Sequence, residues 1–397
     1  DSITTGDYNV GVGDGALTNV TEGSQNIAIG YQTLYSNTTG NYNTAVGLQS
    51  LYSNTSGGYN VAIGKEVLRN NTTGANNTGT GYYALYSNTT GTSNTASGYQ
   101  ALYSNTTGAN NTAIGLNSLY ANISGGQNTA SGNQALRFNT TGTNNTASGY
   151  QSLYSNTTGA SNVAVGAYAM LDNTTGSNST ALGREALANN TTGAANTANG
   201  YQALYSNTTG AYNTASGRGA LFSNTTGANN TAEGYRSLYN STTGSHNTAI
   251  GYNAGDNITT GSSNIIIGSS VDAPSATASN QLNIGNTIYG DLSNDSVGIG
   301  AASQSINGYS TLEVKSATLG SSGNGDLLLV SNAYYSTGWK YKTTNAATLI
   351  EQYQGNTTFK VAPSGTAGAS IAYTTAMTIN NSGYIYVPTW YSLTTAS

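Results

Sequence analysis

YQTLYSNTTGNYNTAVG, residues 31–47, returns at residues 82–98 as YYALYSNTTGTSNTASG, three times seventeen positions further on. Working outward in both directions, the step of seventeen holds without an insertion. Gly stands at 13, 30, 47 and every seventeenth position up to 268. Leu holds a second column from Leu17 through Leu34, Leu51 and Leu68 to Leu238, with Met170 substituting once. Asn holds a third, from Asn9 and Asn26 onward, with Ser179 as an exception, and a small-residue column runs from Gly11 and Ala28 to Ala249, with Gly79 as its other glycine. Fixed stations for Leu and Ala separate this pattern from low-complexity linker.

A gap-free unit of seventeen residues is too short for a domain or for two packed helices, so it reads as one coil of a solenoid. Asn-x-Ala-x-Gly is a strand in which Ala28 faces one side and Ile27 and Ile29 the other. Leu34 lies an even number of residues further on, and we expect extended structure through Gly-Tyr-Gln-Thr-Leu-Tyr in preference to a short helical turn. Ser-Asn-Thr-Thr-Gly is a turn, with Asn37 bonding local backbone and Gly40 free to take positive φ. Stacked coils then add strands in parallel. The repeat anchors are Asn26, Ala28, Gly30, Leu34 and Gly40.

Composition narrows the function classes. The 397 residues include 10 Lys plus Arg and 15 Asp plus Glu, with a net charge of −5, no Cys, a single His, 52 Gly and 31 Tyr. There is no basic stripe to neutralise a nucleic-acid backbone, so no nucleic-acid partner is expected. Disulfides and thiolate zinc sites are excluded by composition. No apolar run reaches the length of a membrane-spanning helix, so no membrane insertion is expected. The chain begins at Asp1 without Met, which reads as a processed or partial product.

Residues 1–268 therefore form a repetitive shaft. The rhythm fails at Val271-Asp-Ala-Pro274, making 269–285 a junction in which Asn280-Gln-Leu-Asn-Ile-Gly285 restores one coil-like strand. Residues 286–397 read as short alternating strands parted by Gly and Asn turns, a non-repetitive β region and candidate receptor-binding tip. Its lysines, Lys315, Lys340, Lys342 and Lys360, are read as strand-edge protection rather than as a patch.

A seventeen-residue coil built around one Ala and one Leu encloses little apolar surface, so a partner surface is wanted. The column after Ala (Val12, Ile29, Val46, Ile63, Ile114, Val165, Leu182, Ile250, interspersed with Ser and Thr) suits an axial seam between chains. The motif Asn-Thr-Ala-Ile-Gly-Tyr-Gln-Ala-Leu-Tyr-Ser-Asn-Thr-Thr-Gly resembles the repeats of trimeric phage tail fibres and of the head domain of trimeric autotransporter adhesins. That resemblance covers residues 9 to about 268. It implies a left-handed parallel β-roll with three chains side by side, hence a homotrimer. Gly298-Ile-Gly300, Ser310-Thr-Leu-Glu-Val314 and Thr378-Ile-Asn-Asn-Ser-Gly-Tyr384 resemble the distal shaft of fibres that carry a self-cleaving C-terminal chaperone. In that family the chaperone leaves after a Ser, and the end at Ser397 is expected to be such a product. The resemblance implies a virion tail fibre with tail or baseplate proteins and a host-surface glycan or protein as partners. A bacterial surface adhesin or extracellular filament is the alternative.

No catalytic constellation is expected. The one histidine, His246, falls in a variable turn position, and Glu313, Asp326 and Glu351 are not placed by sequence as an acid–base pair. Neither metal nor cofactor is expected, since the coils carry Asn and Thr where calcium repeats need Asp. Two tyrosine columns stand out, Tyr31, Tyr82, Tyr99 and their equivalents, and Tyr35, Tyr86, Tyr103 and theirs. They read first as rings stacked between coils, and second as glycan or surface contacts, together with Trp339, Tyr341 and Trp390. Asn37, Asn54, Asn88 and Asn105 also match the glycosylation acceptor, so a glycosylating host would coat one row with sugar.

Overall fold

The computed structural model describes residues 6–293, 296–299, 309–314, 317–322, 327–335, 339–342 and 344–388, with side chains described over most of these. The chain is all-β and divides into two units, Asp1–Ser245 and His246–Ser397. In the first unit fourteen three-residue strands run from β1 (Val10–Val12) to β14 (Thr231–Glu233), one per coil. Each pairs in parallel with the next in a register of seventeen, as in Ile27↔Thr44, Ala28↔Ala45 and Ile29↔Val46. This is a parallel β-solenoid of seventeen-residue coils. Thirteen steps of about 4.8 Å carry the ladder over about 62 Å.

Period two decides what the strand buries. Ala28 is fully buried while Ile27 and Ile29 on either side stay exposed, and from β2 to β14 the central residue is buried between flanks that are exposed or half-buried. Gly30 ends the strand at φ 134°, where an added Cβ would lie 2.6 Å from the Gly47 carbonyl oxygen of the next coil. Glycine is required there twice over, by backbone angle and by the close approach of the neighbouring coil.

The next segment differs from the expectation of extended structure. Residues 31–36 are a run of turns in which Gln32 and Leu34 both take φ of 51°. Their amides point along the solenoid in opposite senses: Gln32 N donates to Asp14 O at 2.8 Å, and Leu34 N donates to Ser50 O at 3.0 Å. A narrow coil has to reverse direction within a few residues, and alternating backbone handedness lets it do so while the Gln32 and Leu34 amides bond to the coils on either side and the buried Asn37 amide bonds to Leu34 O within the coil. Leu34 is buried as expected, but from a left-handed backbone. That explains the chemistry of its column, since β-branched Val or Ile are real outliers at positive φ whereas Leu and Met are tolerated.

Two asparagine ladders share the coil interior with the Ala28 and Leu34 columns and with the small-residue column of Thr33, Ser50 and Ala84. Asn26 Oδ1 accepts from the backbone N of Asn43 at 3.0 Å and from its Nδ2 at 3.1 Å. Asn37 Oδ1 accepts from Asn54 Nδ2 at 2.8 Å. The Nδ2 groups of Asn26 and Asn37 also converge on one acceptor, the carbonyl oxygen of Gly40, at 2.9 and 3.0 Å. Buried amides are tolerated where both ends are bonded, as they are for Asn26 and Asn37. This corrects the reading of a sugar-coated row: Asn37, Asn54, Asn88 and Asn105 are fully buried, with their acceptor nitrogens committed inside the coil.

In the second unit β15 (Thr248–Ile250), β16 (Ile265–Ile267) and β17 (Gln281–Ile284) keep the parallel register of seventeen. The pattern then turns antiparallel through β18 (Ile288–Asp291) and β19 (Ser296–Ile299), and β20 (Tyr309–Val314) pairs in parallel with β19. An antiparallel series follows, β21 (Ala317–Ser322), β22 (Leu327–Ser331), then after a separate hairpin of β23 (Ala333–Tyr335) and β24 (Trp339–Tyr341), β25 (Ala347–Tyr353), β26 (Asn356–Ala362), β27 (Thr374–Ile379) and β28 (Ile385–Tyr386). The β25–β26 turn is Gln354-Gly355 with φ of 48° and 78°, the left-handed pair that matches strand twist in a two-residue hairpin. Leu328, Val330, Ala333, Tyr341, Ala347, Leu349 and Ala362 make a small core of its own. Among the described residues no helix is long and apolar enough to cross a membrane.

Candidate functional site

A rung spacing near 4.8 Å brings equivalent side chains of adjacent coils to ring-stacking distance, so any aromatic column becomes a stack. Tyr35 and Tyr52 have centroids 5.2 Å apart at 8°, Tyr86 and Tyr103 5.1 Å at 5°, and Tyr103 and Tyr120 5.2 Å at 6°. Tyr205, Phe222 and Tyr239 continue the same arrangement at 5.1 and 4.9 Å. Where the column substitutes Arg, the guanidinium takes the place of a ring. Arg69 lies 5.3 Å from Tyr52 and 5.9 Å from Tyr86, and Arg137 lies 5.9 Å from Tyr120 and 5.8 Å from Tyr154. Tyr35, Tyr86 and Tyr103 are half-buried, with ring faces covered by their neighbours.

The other column is more open. Tyr31, Tyr82 and Tyr99 are exposed, and of these three Tyr82 and Tyr99 stack on each other, at 5.5 Å. Lys65, which replaces Tyr in this column, donates from Nζ to the Tyr82 hydroxyl at 3.1 Å, and that bond holds the lysine above its ordinary pKa. Tyr82 and Tyr83 share a hydrogen bond that pushes Tyr83 up to about 12 and Tyr82 down. The sparse charges are neutralised locally: Glu66 takes Lys65 at 3.5 Å and Arg69 at 3.6 Å, and Glu185 takes Arg184 at 2.8 Å.

A third aromatic stack escaped the sequence reading. Tyr42 and Tyr59 lie 4.8 Å apart at 12° and are 49% and 60% exposed. Both immediately precede the anchor Asn of a coil, and that column carries Tyr at only four stations, Tyr8, Tyr42, Tyr59 and Tyr212, too few to show as a period.

In the second unit Tyr341 is placed differently from a surface contact. It is 5% exposed and its hydroxyl donates to the Pro363 carbonyl at 2.6 Å. Trp339 is half-buried edge-on to Tyr373 at 6.0 Å, and Trp390 lies outside the described residues. Lys360 pairs with Glu351 at 2.6 Å, Lys340 donates to Ser370 Oγ at 2.8 Å, and Lys342 is half-buried, its pKa lowered to about 8 by that burial. Lys315, Asp326 and the Glu313 side chain lie outside the described residues. His246 sits exposed in a turn at φ 59°. The repeat anchors Asn26, Ala28, Gly30, Leu34 and Gly40 are the groups that hold one coil to the next.

No family model, curated protein or solved structure matches this chain.

Proposed function

We propose that the chain is a structural fibre protein of a phage virion, a homotrimeric spacer that also carries host-surface attachment and performs no catalysis. The observation that carries this reading is the unbroken in-register ladder of the first unit, in which inward-facing side chains are committed to joining one coil to the next. Such a design invests its buried groups in length and stiffness rather than in a cleft. Self-association is supported by the exposed flanks of the strands. Ile27, Ile29, Ile63, Ile114, Val165 and Leu182 all stand on the solvent side of β-strands, a recurrent apolar surface in an otherwise polar coil.

Light scattering on the native chain tests the assembly. Three times 40.4 kDa, about 121 kDa, is the expected mass, and a 40.4 kDa monomer would sink the trimer. Attachment to virions is tested by immunogold labelling with antibody raised against the chain. Label on purified virion tails supports the phage setting. Label on the bacterial surface, without virions, supports the adhesin alternative, for which the same repeat resemblance speaks.

A further inference from the structure

The solenoid column that contains Gln32 carries side chains such as Gln100, Gln151, Gln202 and Arg236, and Gly219 breaks it. The missing side chain opens a hollow of about 160 Å³, lined by Gln202, Arg218, Phe222, Tyr235, Arg236 and Tyr239 around Gly219. That is smaller than the roughly 300–1,000 Å³ typical of pockets for drug-sized ligands, and leaves room for one small ring. The lining holds two guanidiniums and no carboxylate.

Lys65, Arg69 and Arg184 each have a carboxylate partner, whereas among the described residues Arg218 and Arg236, like Arg137, have none; what sets Arg218 and Arg236 apart is that the two line one hollow. Arg236 Nε is buried without a hydrogen-bond partner. The two arginines are adjacent across coils, with Arg236 N donating to Arg218 O at 2.9 Å. The aromatic groups are already engaged on their faces. Phe222 is sandwiched between Tyr205 and Tyr239, and the Arg236 guanidinium covers Tyr239 at 4.0 Å. What the lining offers is guanidinium donors, ring edges, two tyrosines and an amide.

We propose that the Gly219 hollow binds an acidic saccharide unit, a pyranose ring bearing a carboxylate, with Arg218 and Arg236 taking the carboxylate and Gln202 and the tyrosines contacting ring hydroxyls. A guanidinium fork matches a carboxylate bidentately, which lysine does not. The hollow is too large for a bare anion alone, and the covered aromatic faces disfavour a flat nucleobase, leaving a hydroxyl-rich ring as the better complement. This site deepens the attachment reading by giving it a ligand class.

The test is titration of the full chain with D-glucuronate, followed by calorimetry and saturation-transfer NMR, alongside methyl glucoside, inorganic phosphate and AMP. Saturable glucuronate binding at one site per chain is expected, with methyl glucoside at least tenfold weaker. Arg236→Gln and Gly219→Gln should each weaken glucuronate at least tenfold. Both place in the column the residue that Gln202 and Gln151 already supply at φ of 56° and 53°, so the coil retains its fold, checked by circular dichroism. Arg184→Gln, outside the hollow, should bind as the parent does. Absence of glucuronate binding, equal binding of methyl glucoside, or a Gly219→Gln variant that binds normally would each overturn the site. So would phosphate or AMP binding more tightly than glucuronate, which would make the hollow a phosphate site. The trimer mass and virion labelling stand or fall independently of these titrations.

Discussion

Asn224 and Ser241 occupy successive stations of the buried asparagine ladder, and both are left unsatisfied: Asn224 Oδ1 and Ser241 Oγ have no hydrogen-bond partner. Elsewhere that oxygen accepts from the asparagine one coil further on, as Asn190 Oδ1 does from Asn207 at 2.7 Å. Serine is too short to reach. Ser241→Asn should supply the donor to Asn224 Oδ1 and a second bond to Gly244 O, by analogy with Asn207 and Gly210 at 3.0 Å. Relieving a buried unsatisfied acceptor is worth about 1–3 kcal/mol. Chemical denaturation should show a higher midpoint with unchanged slope. An unchanged or lower midpoint would mean that Ser241 is there for space.

The leucine column tests the positive backbone angle. Leu119 is fully buried at φ 49°. Leu119→Met preserves volume and an unbranched Cβ, and should cost under about 1.5 kcal/mol. Leu119→Val removes one methylene and also forces a β-branched residue into the left-handed region, adding about 1–3 kcal/mol of backbone strain to the cavity cost. The order Met milder than Val, read from thermal melts, is the expected result. Equal effects would indicate that the site senses volume alone.

These two columns show how far the sequence could be read. The step of seventeen, the inward Ala28 and the buried Leu34 were legible because each recurs at a fixed station and the strand period is two. The backbone between Gly30 and Leu34 was not, because Gln32 and Leu34 are not residue types that advertise positive φ. Their angles follow from coil-to-coil pairing, a tertiary effect. The Asn-Thr-Thr motif was ambiguous in the same way, since local turn chemistry predicts a bonded Asn37 but not that its amide faces the coil interior. In the candidate site, the stacking of Tyr86 on Tyr103 was legible from spacing alone. The hollow at Gly219 was not, since one more Gly among 52 gives no signal until its neighbours Arg218 and Arg236 are seen side by side.

The buried acceptor nitrogens lead to a prediction about glycosylation. If the chain is secreted from a host that glycosylates Asn-x-Thr, the folded fraction should carry no glycan at Asn88 or Asn105, because Nδ2 of each is bonded to Gly91 O and Gly108 O at 3.0 Å. Intact-mass spectrometry of the folded, protease-resistant fraction checks this. Glycan found there at stoichiometric level would mean that these coils do not form as described.

The second unit should respond to alkaline pH through Lys342. Burial disfavours its ammonium and lowers the pKa to about 8 from the ordinary 10.5. Between these values the unfolded chain binds more protons at this site than the folded one, so stability contributed here rises as pH increases from about 8 towards 10.5. Below pH 8 both states are protonated and the site adds no slope. Melting of the second unit, followed by Trp339 fluorescence, should therefore shift upward across that window. Lys342→Met removes the titrating group and should flatten the shift. A profile that keeps its slope in Lys342→Met would assign the proton uptake on unfolding to another group; it cannot be Tyr373, whose pKa is raised by burial and which therefore acts in the opposite sense.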